Sequence, residues 1–242
     1  MKNTILLSTI LCFLITFSSC EKDNIAGPNA AFFGAVKDSV GGALIEQDML
    51  NGTSIEAYEH GFITPSAMYW DFKINGEFRN NMVFSNTYNL YLRNGNFFPI
   101  TKMDFVIKPG DNSFDFSVVP YLRVKDAVIK WDKSSNKIIA SFKVEGGKSM
   151  VKLKRIALYS FSDIYVGDPF KFTNSGGGDS QSFEASISPN PATTYTLFID
   201  VAANEKTFIS GRNYFFRIGV LADVSGLGTV RYNYASYVKI TL

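Results

Sequence analysis

His60 is the only histidine in the 242 residues, so any Ser/His/Asp or Cys/His relay, or any histidine-based metal site, would have to run through it alone. It follows a predicted strand, with no G-x-S-x-G elbow and no second histidine to accompany it, and reads as a structural loop residue. The 22 acids fall on predicted turns and outward faces, where solvated charge accounts for them better than the close carboxylate pair of a glycosidase. Asp111, Asp163 and Asp168 sit in turns without the D-x-D-x-D-G spacing of a calcium loop. Gly176-Gly177-Gly178-Asp179 lacks the lysine and the following helix of a phosphate cradle. These residues predict no catalysis, no metal and no cofactor.

What the chain does offer is flat rings beside amides and carboxylates, the chemistry that grips the apolar face and hydroxyl rim of a sugar. The candidate ligand-contacting residues are Tyr69 and Trp70, then Asn94, Asn96, Phe97 and Phe98 around one loop, Trp131 before a polar turn, and Tyr232 and Tyr234 two apart on one face of the last strand. Tyr237 falls on the opposite face unless that strand bulges. Rings in small β domains mostly fill cores, so exposure decides which of these can serve.

The elements that must position them are strands. With 22 Phe, 12 Tyr and many β-branched residues, the composition favours sheet over helix. Strands are predicted at 32–37, 54–59, 69–74, 77–83, 87–93, 103–107 and 113–119. The pair flanking Asn75-Gly76 is expected to form a hairpin, since Asn-Gly is the strongest short-range signal for one. Beyond Pro120, strands are expected at 122–131, 137–145, 151–161, 169–173, 195–201, 212–223 and 229–241, with a glycine-rich loop at 174–182. The fold class is therefore all-β, two consecutive β-sandwich domains at 30–119 and 120–242, joined by a connection short enough that they should touch.

Ahead of them, Lys2, an apolar run over 5–17 and the small pair Ser18-Ser19 make the three parts of a secretory signal over 1–19. The run is too short to span a bilayer. Phe17-Ser18-Ser19-Cys20 resembles a bacterial lipobox, with Phe17 in place of the usual leucine. That resemblance implies acylation of Cys20 and a lipidated tether at 20–29. Cys12 leaves with the signal, so Cys20 is the single thiol of the mature chain. Glu21-Lys22-Asp23 is similar to the charged export tag of Bacteroidetes lipoproteins, which implies the outer membrane and its outer face, the inward face being the alternative. Removing residues 1–19 takes only Lys2 from the charged set, leaving 23 basic and 22 acidic residues, no footprint for nucleic acid.

Two further resemblances concern the domains. Phe33-Gly34-Ala35-Val36-Lys37-Asp38, with Asn75-Gly76-Glu77-Phe78-Arg79-Asn80 leading to Thr87-Tyr88-Asn89-Leu90-Tyr91-Leu92, resembles the transthyretin-like, carboxypeptidase-regulatory sandwich. Asn213-Tyr214-Phe215-Phe216-Arg217-Ile218-Gly219-Val220 resembles the Y-x-F-x-V strand of fibronectin type III domains, which implies that Tyr214 is a corner tyrosine bonding back to the upstream backbone. As a whole the chain is similar to Bacteroidetes lipoproteins of domain of unknown function 3823. That resemblance implies a non-catalytic accessory in glycan or nutrient capture beside a starch-utilisation-type uptake system. The partners expected are the membrane through the lipid, a glycan and outer-membrane uptake proteins. The alternative is a structural or interaction scaffold for an outer-membrane partner. Cells fed an alkyne-tagged palmitate should label the intact protein, and Cys20→Ser should abolish that label; equal labelling of both would exclude lipidation at this residue.

Overall fold

The computed structural model describes residues 26–242; the signal peptide expected at 1–19 and the lipidation expected at Cys20 lie outside the described residues. The N-terminal domain contains β1 (Ala30–Asp38), β2 (Ser54–Glu59), β3 (Met68–Asp71), β4 (Glu77–Val83), β5 (Asn86–Leu92), β6 (Ile100–Ile107), β7 (Gly110–Ser113) and β8 (Phe116–Val118). One sheet runs β3-β2-β5-β6, antiparallel throughout. The other is centred on β1, with β4 antiparallel on one side and β7 and β8 both parallel to it. The alternation read from the sequence fixes which side faces in: Ile55 and Ala57 on β2, and Tyr88, Leu90 and Leu92 on β5, are all fully buried. Phe32 of β1 lies 4.9 Å from the Phe78 ring and 5.7 Å from Trp70, which joins the two sheets through one aromatic core.

The stretch expected as one strand at 113–119 is two. At Gly34 the chain of β1 runs so close to the crossing segment that a Cβ would lie 1.9 Å from the Phe114 carbonyl oxygen, which only glycine permits. The ladder breaks there. The Ala35 amide it leaves unpaired donates instead to Asp115 Oδ1 at 3.0 Å, while Lys37 Nζ donates to Asp115 Oδ2 at 2.6 Å.

The hairpin expected at Asn75-Gly76 is corrected: β3 pairs with β2 and β4 with β1, so the turn carries the chain from one sheet to the other. Phe72 and Ile74 point into the core, 2% and 9% exposed. The Ile74 carbonyl accepts from the Gln47 amide at 2.9 Å, across the loop that precedes β2. Asn-Gly sets the tightness of a turn, and Gly76 takes it at φ 83°, but packing decides which strands pair.

The C-terminal domain contains β9 (Leu122–Asp132), β10 (Lys137–Gly146), β11 (Lys152–Phe161), β12 (Ser180–Ile187), β13 (Thr194–Asp200), a 3-10 turn at Ala202–Asn204, β14 (Asn213–Asp223), β15 (Asn233–Tyr234) and β16 (Val238–Thr241). Sheets β13-β10-β9 and β12-β11-β14-β15, with β16 also on β14, enclose a second core. Ile138, Ala140, Phe142 and Val144 fill it from β10 as the alternation predicts. Tyr214 is a corner tyrosine: its hydroxyl donates to the Thr207 carbonyl at 2.9 Å and accepts from the Ile209 amide at 2.7 Å. Two expectations fail. Residues 169–173 form no strand, and 180–187, of which 180–182 were expected as loop and the rest were given no element, form β12. The last strand is also interrupted: four residues of β14 from Gly219 to Phe216 face five from Tyr234 to Val238, a bulge beside Arg217.

Arg217 joins the two domains. Its side chain is fully buried and uses all five N–H donors: Nε to Ala235 O, Nη1 to Gln47 O and Val166 O, and Nη2 to Glu46 Oε2 and Ile74 O, at 2.6–3.3 Å. Tyr234 lies flat beneath it, 4.2 Å from the guanidinium carbon to the ring centroid. Arg123 of β9 forks onto Asp38 of β1. Asn96 donates to Glu46 O and Tyr232 O and accepts from Gln47 Nε2. The Tyr234 hydroxyl donates to Asp48 Oδ2. A junction this densely bonded holds the domains as one body.

Removing Arg217 strands a carboxylate and buried carbonyls, so Arg217→Met should cost about 3–5 kcal/mol in urea unfolding; a loss below about 0.5 kcal/mol, the range of an ordinary surface change, would contradict this role. The two buried acids titrate in opposite senses. Burial pushes the Asp48 carboxyl up, the Tyr234 hydroxyl and the Arg217 charge only partly offsetting it. Burial also opposes the Asp38 charge, but hydrogen bonds from Arg123 and the Val40 amide, with the guanidinium charge, outweigh it and hold that carboxyl low. Asp38 therefore contributes stability above the unfolded value of about 3.9 that is lost as pH falls through its lower folded pKa. Asp48 costs stability as pH rises from about 4 through its raised folded pKa. Asp48→Asn should remove that cost, so melting temperatures of the variant and the parent should diverge in the variant's favour from pH 4 to 8; parallel curves would show that Asp48 does not titrate this way.

Candidate ligand-binding surface

Among the sequence-chosen residues, burial takes Phe97, Asn96 and Tyr234 out of reach of a ligand and leaves Trp70 little exposed surface. Trp70 and Phe97 belong to the N-terminal core, 7% and 0% exposed, and Asn96 and Tyr234 belong to the junction, 1% and 7% exposed. Tyr232 is half-buried in a cluster with Tyr159 and Tyr234, at ring distances of 5.8 and 6.0 Å. Phe98 packs edge-on against Tyr121 beneath Lys148 Nζ, which lies 3.9 Å from its ring centroid. Asn94, exposed and at φ 58°, accepts from the Thr229 amide. Trp131 is half-buried, with its indole N–H on Asn136 Oδ1 at 3.3 Å and Lys133 over its ring. Tyr69 alone among the chosen aromatics stands well out into solvent, 62% exposed.

The surroundings of Tyr69 follow from the sheet-to-sheet turn. Because β3 and β4 are edge strands of opposite sheets, Tyr69 and Arg79 lie on the two sides of the open flank of the sandwich. Trp70 and Phe78 point inward, so by alternation Tyr69, Asp71 and Arg79 point out. Tyr69, Asp71, Arg79 and Asn80 line a concavity of about 280 Å³ there, floored by the edges of Trp70 and Phe78. On the far side of Arg79 lies a second concavity of about 540 Å³ over Phe33, rimmed by the ion pairs Lys37–Asp115 and Lys73–Glu77. The Arg79 guanidinium carbon sits 4.8 Å from the Phe33 ring centroid, with Nε donating to Asn81 Oδ1 at 2.8 Å. The result is two adjacent shallow concavities that share Phe78 and Arg79, with Tyr69 lining one and Phe33 the other, and amide and carboxylate groups along their walls. Such a set suits a ring with vicinal hydroxyls.

Phe33 and Arg79 were not singled out by the sequence. Only their cross-strand pairing between β1 and β4 brings them together, and no local pattern announces that pairing. The strongly shifted groups lie elsewhere, at the junction: burial drives the Tyr159 and Tyr234 hydroxyls up, nearby phenols and Asp48 adding to it. Asp168, one of the acids weighed for calcium, accepts from the Tyr159 hydroxyl and Lys171. Among the described residues no three His, Cys, Asp or Glu side chains gather as metal ligands.

Two β domains packed through a polar junction, with aromatic concavities on the outer flank of the first, define an all-β two-domain architecture. Residues 32–119 match the model of the N-terminal domain of a protein of unknown function, DUF3823. The chain is 48% identical, over 89% of its length and all of the relative's, to a Bacteroides uniformis protein described as a "putative carbohydrate binding protein", with a TM-score of 0.85. It is similar in fold to DUF3823 family proteins of Parabacteroides merdae, 17% identical with a TM-score of 0.68, and of Bacteroides uniformis, 18% identical with a TM-score of 0.67. Each of these covers 89% of this chain and is itself covered completely. No curated protein matches it. The chain belongs to the DUF3823 family.

Proposed function

We propose that this protein is a lipid-anchored, non-catalytic accessory of the outer membrane that captures glycan through the adjacent concavities lined by Tyr69 and Phe33. One observation carries the reading: the exposed Tyr69 ring and the Arg79 fork share a concavity with the Asp71 carboxylate and the Asn80 amide. The 48%-identical relative, whose description names carbohydrate, supports it. The anchor rests on Cys20 and the preceding leader, and the uptake-system association on the family resemblance. The rigid junction suits presentation of a fixed surface above a membrane, and equally suits a spacer for a protein partner.

Affinity electrophoresis through a panel of soluble polysaccharides, using the mature Cys20→Ser chain, tests the capture role. Tyr69→Ala and Arg79→Ala should each weaken retardation about tenfold, the scale of one lost stacking or charged contact, while Trp131→Ala on the other domain leaves it unchanged. No retardation by any polysaccharide would remove direct glycan capture and leave the protein partner.

A further inference from the structure

Five of the exposed large apolar side chains lie at one end of the N-terminal domain. Phe62 and Ile63 project from the loop between β2 and β3, 64% and 105% exposed, and Phe84, Met82 and Val106 stand nearby at 40%, 72% and 58%. Backbone links gather these segments. The His60 amide donates to Thr87 O at 2.9 Å, and Asn86 Nδ2 donates to His60 O at 3.1 Å and to Glu59 Oε1 at 2.8 Å. The Tyr88 hydroxyl holds Phe84 O at 2.7 Å.

The same end receives the tether. Asn29 accepts from the Ser85 amide at 2.8 Å, donates to Ser85 Oγ at 3.0 Å, and its carbonyl accepts from the Gly110 amide at 2.9 Å. The chain running back toward Cys20 is thus pinned beside Phe84 and the 108–109 turn. Eight residues lie between Cys20 and Asn29, and the nine steps at about 3.3–3.6 Å per residue allow a reach of roughly 30 Å, and far less when coiled. Residues 60–67, 84–85 and 108–109 contain His60 and Lys108 and no carboxylate. The acids that border them are Glu59, held by Asn86, Asp104, exposed and 3.8 Å from His60, and Asp111, exposed beside Gly110.

We propose that the Phe62–Ile63 loop, with Phe84 beside it, inserts into the lipid leaflet that holds the acylated Cys20, so that the domain stands on the membrane by this end. The proposal rests on the lipid anchor of the reading above and not on its glycan site. Two or three apolar side chains bind a bilayer weakly by themselves. Behind a tether this short their local concentration is high, and a weak contact becomes occupied. Lys108 is placed to meet phosphate headgroups at the rim.

The test uses the full lipidated chain in vesicles of phosphatidylethanolamine and phosphatidylglycerol. With Cys20 acylated, Ile63→Cys supplies the single thiol for an environment-sensitive fluorophore, and Val128→Cys on β9, 54% exposed, serves as the distant control. The label at position 63 should shift to the blue and be quenched by lipids carrying a shallow doxyl group, and the label at 128 should do neither. Protein that floats with the vesicles while both labels stay aqueous overturns the insertion and leaves the anchor standing. Protein that fails to float overturns the anchor and this proposal together, while glycan retardation of the Cys20→Ser chain is unaffected by either outcome.

Discussion

A guanidinium with no exposed surface is tolerable only when every donor is met, and Arg217 meets that condition by drawing acceptors from both domains. Three of its five hydrogen bonds end on the N-terminal domain, at Glu46, Gln47 and Ile74; the other two, at Val166 and Ala235, end on its own. Neither domain could bury this side chain alone. The loop preceding β2, the sheet-to-sheet turn after β3 and the bulge between β15 and β16 all take positions that offer it a carbonyl or carboxylate. The irregular features of the fold converge on this one residue.

The same turn ties the junction to the candidate binding surface. Ile74 sends its carbonyl to Arg217, while three residues on, the chain enters β4 in the opposite sheet. Had residues 69–83 formed the hairpin that Asn75-Gly76 suggests, Tyr69 and Arg79 would have lain within a single sheet. Crossing between sheets puts them on edge strands of opposite sheets instead, with the core aromatics Trp70 and Phe78 as floor. The geometry of the binding surface is thus set by a turn whose carbonyl is bonded by the domain junction.

Most strands were legible because burial on one face writes a period of two into the sequence, as in Tyr88, Leu90 and Leu92 or in Ile138 through Val144. What was not legible depends on contacts between distant segments. Arg217 sits at an outward position of an alternating strand and reads as solvent-facing until a second domain covers it. Trp70 and Phe97 carry the same ring chemistry as Tyr69, and only the three-dimensional packing separates a core ring from a surface one. Asn96 reads as a loop amide offered to a ligand, yet it is spent on Glu46, Gln47 and Tyr232 across the junction. The β12 strand was hidden by a segment rich in serine and glycine at its entry, whose edge position demands little apolar content.

The parallel pairing of β1 with β7 and β8 fixes an order of events in the making of the protein. A chain is synthesised from its N terminus, and β1 is the first strand to appear, yet two of its neighbours lie at Gly110–Ser113 and Phe116–Val118. Such long-range closure is slow, and the first sheet waits, half-assembled, until residue 118 is available. Even then the finished N-terminal domain presents the Gln47 and Ile74 carbonyls to a partner that arrives a hundred residues later. The nascent protein therefore passes through a stage in which its first half is folded but carries an open socket, and it is the emergence of β14 that ends its dependence on whatever keeps such a surface from aggregating.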